Sequence, residues 1–422
     1  MARWREPAGH RQFWGGSPSC RMSISSRTLS VSDVWKHAPG ASTSTASPRG
    51  YPAPMTSPRD LHAPFSFPRG RSAPNRAVLA AMTNKQSRAD GTLGEDELTW
   101  LAARARGGFG VVTTCAMHVT PDGQGWDGEL GAFGDEHLPG LTRVADSLRA
   151  EGALSLAQLV HTGSRAPSRL TGQQPWSASA FTLDEPRFEA PRAATEDDLR
   201  RTVDAFGAAA ARCAAAGFDG VELHAAHGYL LCQFLGTVTN TRDDAWGGSP
   251  ERRMRLLREV FAAARASTPD DFLIGVRLSP EVPAQGLAVE ASLAVARQLV
   301  ADGVDFVHAS LWDSFAQPET LPELDVPHTT LWRRTLGAEV PLIVTGGLWT
   351  PAQAATILDQ GADLVGLARA GIAHADWPRR AQDPDWDPER PPYAAQRLRD
   401  AALGPRFVDY MRLWPDFVLD EG

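Results

Sequence analysis

The chain has 422 residues, 42% of them hydrophobic, with a formal net charge of -8 and a pI near 5.8. That length and apolar content fill one large core or two modest ones, which excludes disorder throughout. The acidic balance offers no broad field for nucleic acid, and no apolar run approaches the roughly 18 residues that span a bilayer, so neither kind of partner is expected.

Residues 1–57 carry six arginines and Lys36 against only Glu6 and Asp33, with eleven serines and little apolar periodicity. Their charge of +5 within a chain of -8 leaves -13 for the remainder, and the segment is expected not to pack. It lacks the apolar stretch of a secretory signal. Its composition suits an organellar transit peptide or upstream sequence read through to a true start at Met55, and the second is the expectation here.

From Arg76 onward short aliphatic runs alternate with longer amphipathic segments. Strands are predicted over 76–82, 109–115, 154–160, 220–225, 273–279, 305–310, 341–347 and 364–369. Between them, sets such as Leu141, Val144, Ala145 and Leu148, or Met254, Leu257, Val260 and Phe261, recur at helical spacing, and Gly107, Gly152, Gly217, Gly303 and Gly361 mark helix ends. Eight β/α units predict a (β/α)8 TIM barrel over 58–378, since parallel strands need crossover helices and the eighth closes the sheet. An open doubly wound sheet is disfavoured because no Gly-x-Gly-x-x-Gly follows the first strand. Long insertions at 116–136, 161–195 and 226–250 all follow strands, on a barrel's active-site face. Residues 379–422 form a C-terminal extension, Pro- and Arg-rich and then helical over 393–411, expected on the barrel's outside.

Two compositional oddities narrow the chemistry. Lys36 and Lys85 are the only lysines, and no Gly-Lys-Ser/Thr exists, so a P-loop is excluded and Schiff-base chemistry is disfavoured. Cys20, Cys115, Cys213 and Cys232 form no Cys-x-x-Cys pair, which argues against zinc or iron-sulfur ligation and for free thiols in a reducing cytoplasm.

Polar residues stand at nearly every strand end: Met82-Thr83-Asn84, Gln158, His224, Arg277, His308, Thr345-Gly346-Gly347 and Ala368-Arg369. The last two sets resemble a phosphate site after strands seven and eight. The densest cluster is His224-Ala-Ala-His227-Gly-Tyr229, in which two imidazoles can converge on one oxygen and a phenol can deliver a proton. Zinc with Glu222 as third ligand is a weaker reading, because Glu222 lies one layer deeper on its strand. A purely structural role for both histidines is a further alternative.

Taken together, Asn75-Arg76-Ala-Val-Leu-Ala-Ala-Met82-Thr83-Asn84, Ala157-Gln158-Leu159-Val160-His161-Thr-Gly163, His224-Ala-Ala-His227-Gly228-Tyr229-Leu230 and the stretch from Asn240 to Arg252 resemble the old yellow enzyme family of FMN-dependent ene-reductases, from about Asn75 to Trp377. The resemblance implies FMN across the barrel mouth, contacted by Ala80, Ala81, Met82, Thr83 and Thr114, with Gln158 at the pyrimidine edge and Arg277 near N1. Its phosphate would lie at Gly346, Gly347, Ala368 and Arg369. A guanidinium suits the N1 position, since reduction places negative charge there; the alternative for Arg277 is a strut paired with Glu222. Thr83 would border flavin O4, as would Thr114 or Cys115 the same ring, although Cys115 reads more simply as small interior packing.

The resemblance further implies that NADH or NADPH reduces the flavin and that an activated alkene follows in the same site. Such substrates include enones, nitroalkenes, quinones and nitro compounds. His224 and His227 would bind its oxygen, and Tyr229 would protonate Cα. Trp126, Trp246 and Trp312 are candidate substrate contacts, and Lys85 reads as a solvated loop residue. The sequence departs from the family at Ala81, where Pro is usual, at Trp246 for Tyr, at Arg252 for Asn, and at His161-Thr-Gly-Ser164-Arg165 for His-Ala-Gly-Arg. With no cysteine after Cys232, the family's iron-sulfur extension is not expected, nor is a metal. The rival readings are a flavin-free phosphate-binding lyase or isomerase and a non-catalytic flavin protein. A homodimer or homotetramer is open at this point.

Overall fold

The computed structural model describes residues 59–182 and 189–419. The basic head therefore lies outside the described residues. Eight parallel strands close into a barrel: β1 (Ala77–Leu79), β2 (Val111–His118), β3 (Leu154–Val160), β4 (Gly220–Ala225), β5 (Leu273–Leu278), β6 (Phe306–Ser310), β7 (Leu342–Thr345) and β8 (Leu364–Leu367). Each strand pairs with its neighbours in chain order, and β8 closes on β1 through Val365–Ala77, Gly366–Val78 and Leu367–Leu79. This is the expected (β/α)8 architecture.

The alternation of side chains along each strand explains both the core and the site. On β3 the inward series is Leu154, Leu156, Gln158; on β6 it is Phe306, His308, Ser310; on β7 it is Ile343, then Thr345. The lower members form an interior cluster with Val78, Val111, Leu273 and Leu364, and their removal from water stabilises the barrel by about 1.5–3 kcal/mol per large side chain. A hairpin of Phe65–Ser66 and Ser72–Ala73 plugs the bottom, where Phe67 meets Phe306 edge to face at 6.0 Å. The upper members are polar, so the barrel becomes a hydrophilic cup at its C-terminal end.

Outward-facing Leu159, Leu223, Val276 and Val307 instead join the core under the helices. The long helices are α1 (Glu95–Arg106), α2 (Leu138–Ala150), α3 (Glu196–Ala216), α4 (Arg255–Ala266), α5 (Val289–Ala301), α6 (His328–Leu336) and α7 (Pro351–Asp359). Reciprocal capping by Thr195 and Asp198 starts α3, and Gly217 ends it at φ 92°, where a side chain would be strained.

Two elements differ from the sequence reading. Strand β2 runs on to His118, past a register shift between Thr113 and Ala116 that its apolar pattern does not signal. The single helical segment expected over 393–411 is two short helices, Ala395–Asp400 and Pro405–Met411. Ala402 at φ 65° and Pro405 at the first helical turn separate them. Among the described residues no helix is long and apolar enough to cross a membrane.

Candidate active site

The hydrophilic end of the barrel opens into a cavity of about 1010 Å³. Ala81, Met82 and Thr83 after β1, Gln158 on β3, His224, His227 and Tyr229 at β4, Arg277 on β5, Gly346 and Gly347 after β7, and Ala368 and Arg369 after β8 all line it. Residues far apart in sequence thus share one wall, because parallel strands present the same end. Ala80 and Thr114 stand behind that wall: the Ala80 amide donates to Leu367, and Thr114 Oγ1 donates to the Cys115 carbonyl while accepting from the Gln158 amide. Cys115 faces away, its thiol 2.6 Å from Glu97 Oε1.

The tryptophans separate. Trp126 and Trp312 line the cavity, whereas Trp246 is buried elsewhere, donating to Glu196 and stacked under Arg255 at 4.2 Å. Its place after β4 had suggested the mouth; the loop instead turns it down onto the helices.

Arg277 dominates the electrostatics. It is 4% exposed, and it donates to the Ala81 carbonyl and to Ser310 Oγ, each at 3.0 Å. Glu222 is not its direct partner, so the strut alternative fails in its simple form. Glu222 instead accepts from Gln158 Nε2 and meets His308 Nδ1, both at 2.6 Å. Nor does Glu222 converge with His224 and His227 on a metal position; among the described residues no group of three His, Cys, Asp or Glu is arranged to hold one.

The histidines can be assigned by their partners. His224 Nδ1 accepts from the Ala226 amide, so its proton is on Nε2, which lies 3.2 Å from His227 Nδ1. His227 is then protonated on Nε2, which donates to Ser310 Oγ at 2.7 Å. Both rings are neutral: burial and the nearby Arg277 charge push His224 down to about 3 and His227 well below the ordinary imidazole value. His227 and Gly228 adopt left-handed backbone conformations at φ 57° and 71°, and this reversal brings Tyr229 back over the cavity. The Tyr229 ring meets His224 edge on at 5.0 Å, faces Trp126 at 6.4 Å and lies under the Arg165 guanidinium at 5.4 Å. Burial raises its hydroxyl to about 12.

Several lining residues escaped sequence reasoning. Arg165 comes from the turn after β3, where it also donates to the His227 carbonyl at 2.8 Å. Ser310 bridges Arg277 and His227. Tyr410, Met411, Trp414 and Phe417 arrive from the C-terminal extension, expected on the barrel's outside, and Lys85, expected to be a solvated loop residue, also lines the cavity with Nζ 4.9 Å over the Tyr410 ring. Pro405 was the available signal that the last helix is separate and free to turn inward.

A phosphate-type loop pair after β7 and β8 and a buried cationic floor flanked by Gln158 suit a barrel that binds a flavin nucleotide. The residues fit that group. Arg277 Nε is buried with no partner, the Gln158 carboxamide oxygen is left to the cavity, and Gly347 at φ 65° forms a turn without a side chain beside Arg369. The family described as NADH:flavin oxidoreductase / NADH oxidase matches residues 60–385. The chain is 35% identical to the probable NADH-dependent flavin oxidoreductase YqiG of Bacillus subtilis, over 72% of this chain and 82% of that protein. It is 34% identical to an NADPH dehydrogenase of Bacillus licheniformis, over 81% and 95% respectively. The old yellow enzyme homologue of Zymomonas mobilis superposes with a TM-score of 0.71 at 27% identity, covering 83% of this chain and 99% of that one. Of two longer relatives the chain spans 31% and 34%. The chain belongs to the NADH:flavin oxidoreductase / NADH oxidase family, that of the old yellow enzymes. Its cofactor is FMN, and NAD(P)H is the hydride donor.

Proposed function

We propose that the enzyme reduces electron-poor C=C bonds in small molecules such as enones and nitroalkenes, with Tyr229 as the proton donor. The observation that carries this reading is the meeting of two neutral imidazoles and a protonated phenol over one buried guanidinium. FMN, when bound, would supply the hydride that adds to the alkene β-carbon, with NAD(P)H as its source. Gln158 and Arg277 would hold its pyrimidine edge, Ala81, Met82 and Thr83 would form the wall along the ring with Ala80 and Thr114 behind them, and Gly346, Gly347, Ala368 and Arg369 would hold the phosphate.

His224 Nε2–H turns from His227 to the substrate oxygen, and His227 rotates off Ser310 to join it. Two N–H donors then stabilise the enolate-like charge that builds when hydride adds. The O–H bond of Tyr229 breaks to protonate the α-carbon, and solvent returns the proton. Trp126 and Trp312, which line the cavity, contact apolar parts of the substrate.

A phenol, whose oxygen mimics that enolate, tests the assignment. His224→Ala is expected to weaken its binding about 10- to 100-fold, the worth of a hydrogen bond to a charged oxygen, while FMN stays bound. Because both imidazoles are already neutral, affinity for a neutral enone should be flat between about pH 5 and 8. Spectral titration measures both; unchanged phenol affinity in the variant refutes the oxygen-binding role.

A further inference from the structure

Below the cavity floor runs a buried chain of hydrogen bonds. Glu222, on β4, is wholly buried and does not line the cavity. Its Oε1 accepts from Gln158 Nε2 at 2.6 Å, and its Oε2 accepts from His308 Nδ1 at 2.6 Å. His308 Nε2 in turn accepts from Thr345 Oγ1 at 2.6 Å. The path crosses beneath Arg277 from the β3 wall to the β7 wall. Gly366 leaves it room: a Cβ there would fall 1.7 Å from Thr345 Oγ1 and 3.3 Å from His308 Nε2.

We propose that Glu222, held by His308, is a positioning residue that fixes which atoms and how much charge Gln158 and Arg277 present to the flavin. This rests on the placement of the pyrimidine edge at those two side chains. An ionised carboxylate only accepts hydrogen bonds, so the Gln158 amide nitrogen must face it and the carboxamide oxygen must face the cavity, where it would accept a hydrogen bond from the flavin's pyrimidine edge. A side chain that could donate at position 222 would allow the amide to reverse and set donor against donor.

The second consequence is electrostatic. The guanidinium of Arg277 contacts a carbonyl and a hydroxyl, so the nearest compensating charge in the floor is Glu222. Burial alone would neutralise that carboxyl, but the hydrogen bonds from His308 and Gln158 and the Arg277 charge hold it ionised, below the ordinary carboxylate value. His308 itself is held below its ordinary value by burial, so the pair is carboxylate and neutral imidazole. Negative charge arriving at the flavin N1 on reduction therefore meets a floor whose net charge is near zero. Glu222 keeps the bound flavin a stronger reductant than Arg277 alone would permit, which suits hydride delivery to an alkene.

The test is the midpoint potential of bound FMN in the holoenzyme, read with flavin release on dilution. In Glu222→Gln the equilibrium should shift about tenfold toward reduced flavin, about 30 mV upward for a two-electron couple, and oxidised FMN should dissociate about tenfold more readily. His308→Leu, which removes the N–H that Glu222 Oε2 accepts from, should move both quantities the same way and serves if Glu222→Gln does not fold. Gln158→Leu, which removes the flavin contact itself, should weaken FMN. Wild-type potentials in the folded Glu222 and His308 variants, with Gln158→Leu still weakening FMN, overturn the proposal alone. Undiminished FMN affinity in Gln158→Leu overturns the flavin placement and the proposal with it.

Discussion

A Tyr229→Phe enzyme is expected to be reduced by NADH or NADPH at the wild-type rate and to pass hydride to an enone about 100- to 10,000-fold more slowly, the usual worth of a positioned general acid. Removing one oxygen leaves the ring, its edge contact with His224 and its packing on Trp126 in place, so substrate should still enter and stack. What disappears is the phenolic proton that Tyr229 carries beside the histidine pair at β4. Because burial raises Tyr229 to about 12, the hydroxyl stays protonated across the working range, and wild-type alkene reduction should show no loss from its ionisation below about pH 10. Arg165, above the ring, opposes that rise and favours the phenolate left after transfer. Stopped-flow separation of the two half-reactions decides the matter: equal losses in both would refute the donor role.

Much of this site was legible because a barrel strand states its own orientation. Leu154, Leu156 and Gln158 share a face by period two, so a polar residue at the end of an apolar series must look into the mouth. His224 and Arg277 are read the same way, and the structure pairs them across β4 and β5. What one strand cannot state is which inward neighbour its side chain takes. Glu222 reads as a partner for Arg277 but takes His308, a residue 86 positions away, because contact across the interior depends on the stagger of strands that are not adjacent. Trp246 illustrates a different failure. Loop position places a residue near the mouth, whereas its direction is set by local hydrogen bonds, here those joining Asn240, Asp244 and Trp246.

The contribution of the C-terminal extension to the mouth depends on Arg104. This side chain of α1 is wholly buried, and among the described residues no carboxylate pairs with it. Its charge is met by carbonyl dipoles: Nε donates to Gly371 at 3.1 Å, Nη2 to Ile372 at 2.6 Å, and Nη1 to Ala401 at 2.6 Å and Trp100 at 3.2 Å. Its guanidinium also lies 4.4 Å over the Trp100 ring, which meets Phe407 edge to face at 5.4 Å. One planar fork thus joins α1 to the turn that follows Arg369 and to the segment leading to Tyr410 and Trp414. Arg104→Ala would leave three carbonyls outside α1 unpaired and open a void, at about 1–3 kcal/mol for each buried group that finds no water. A total loss of about 3–5 kcal/mol is expected, read as a lower denaturant midpoint. Arg104→Lys should recover little, since an ammonium cannot reach all three carbonyls in one plane. The specific consequence is at the mouth: cleavage by protease within 395–419 should precede global unfolding, and FMN retention should fall with it. A variant as stable as wild type, with the extension equally protected, would show that Phe407 and Met411 hold the segment by apolar packing alone.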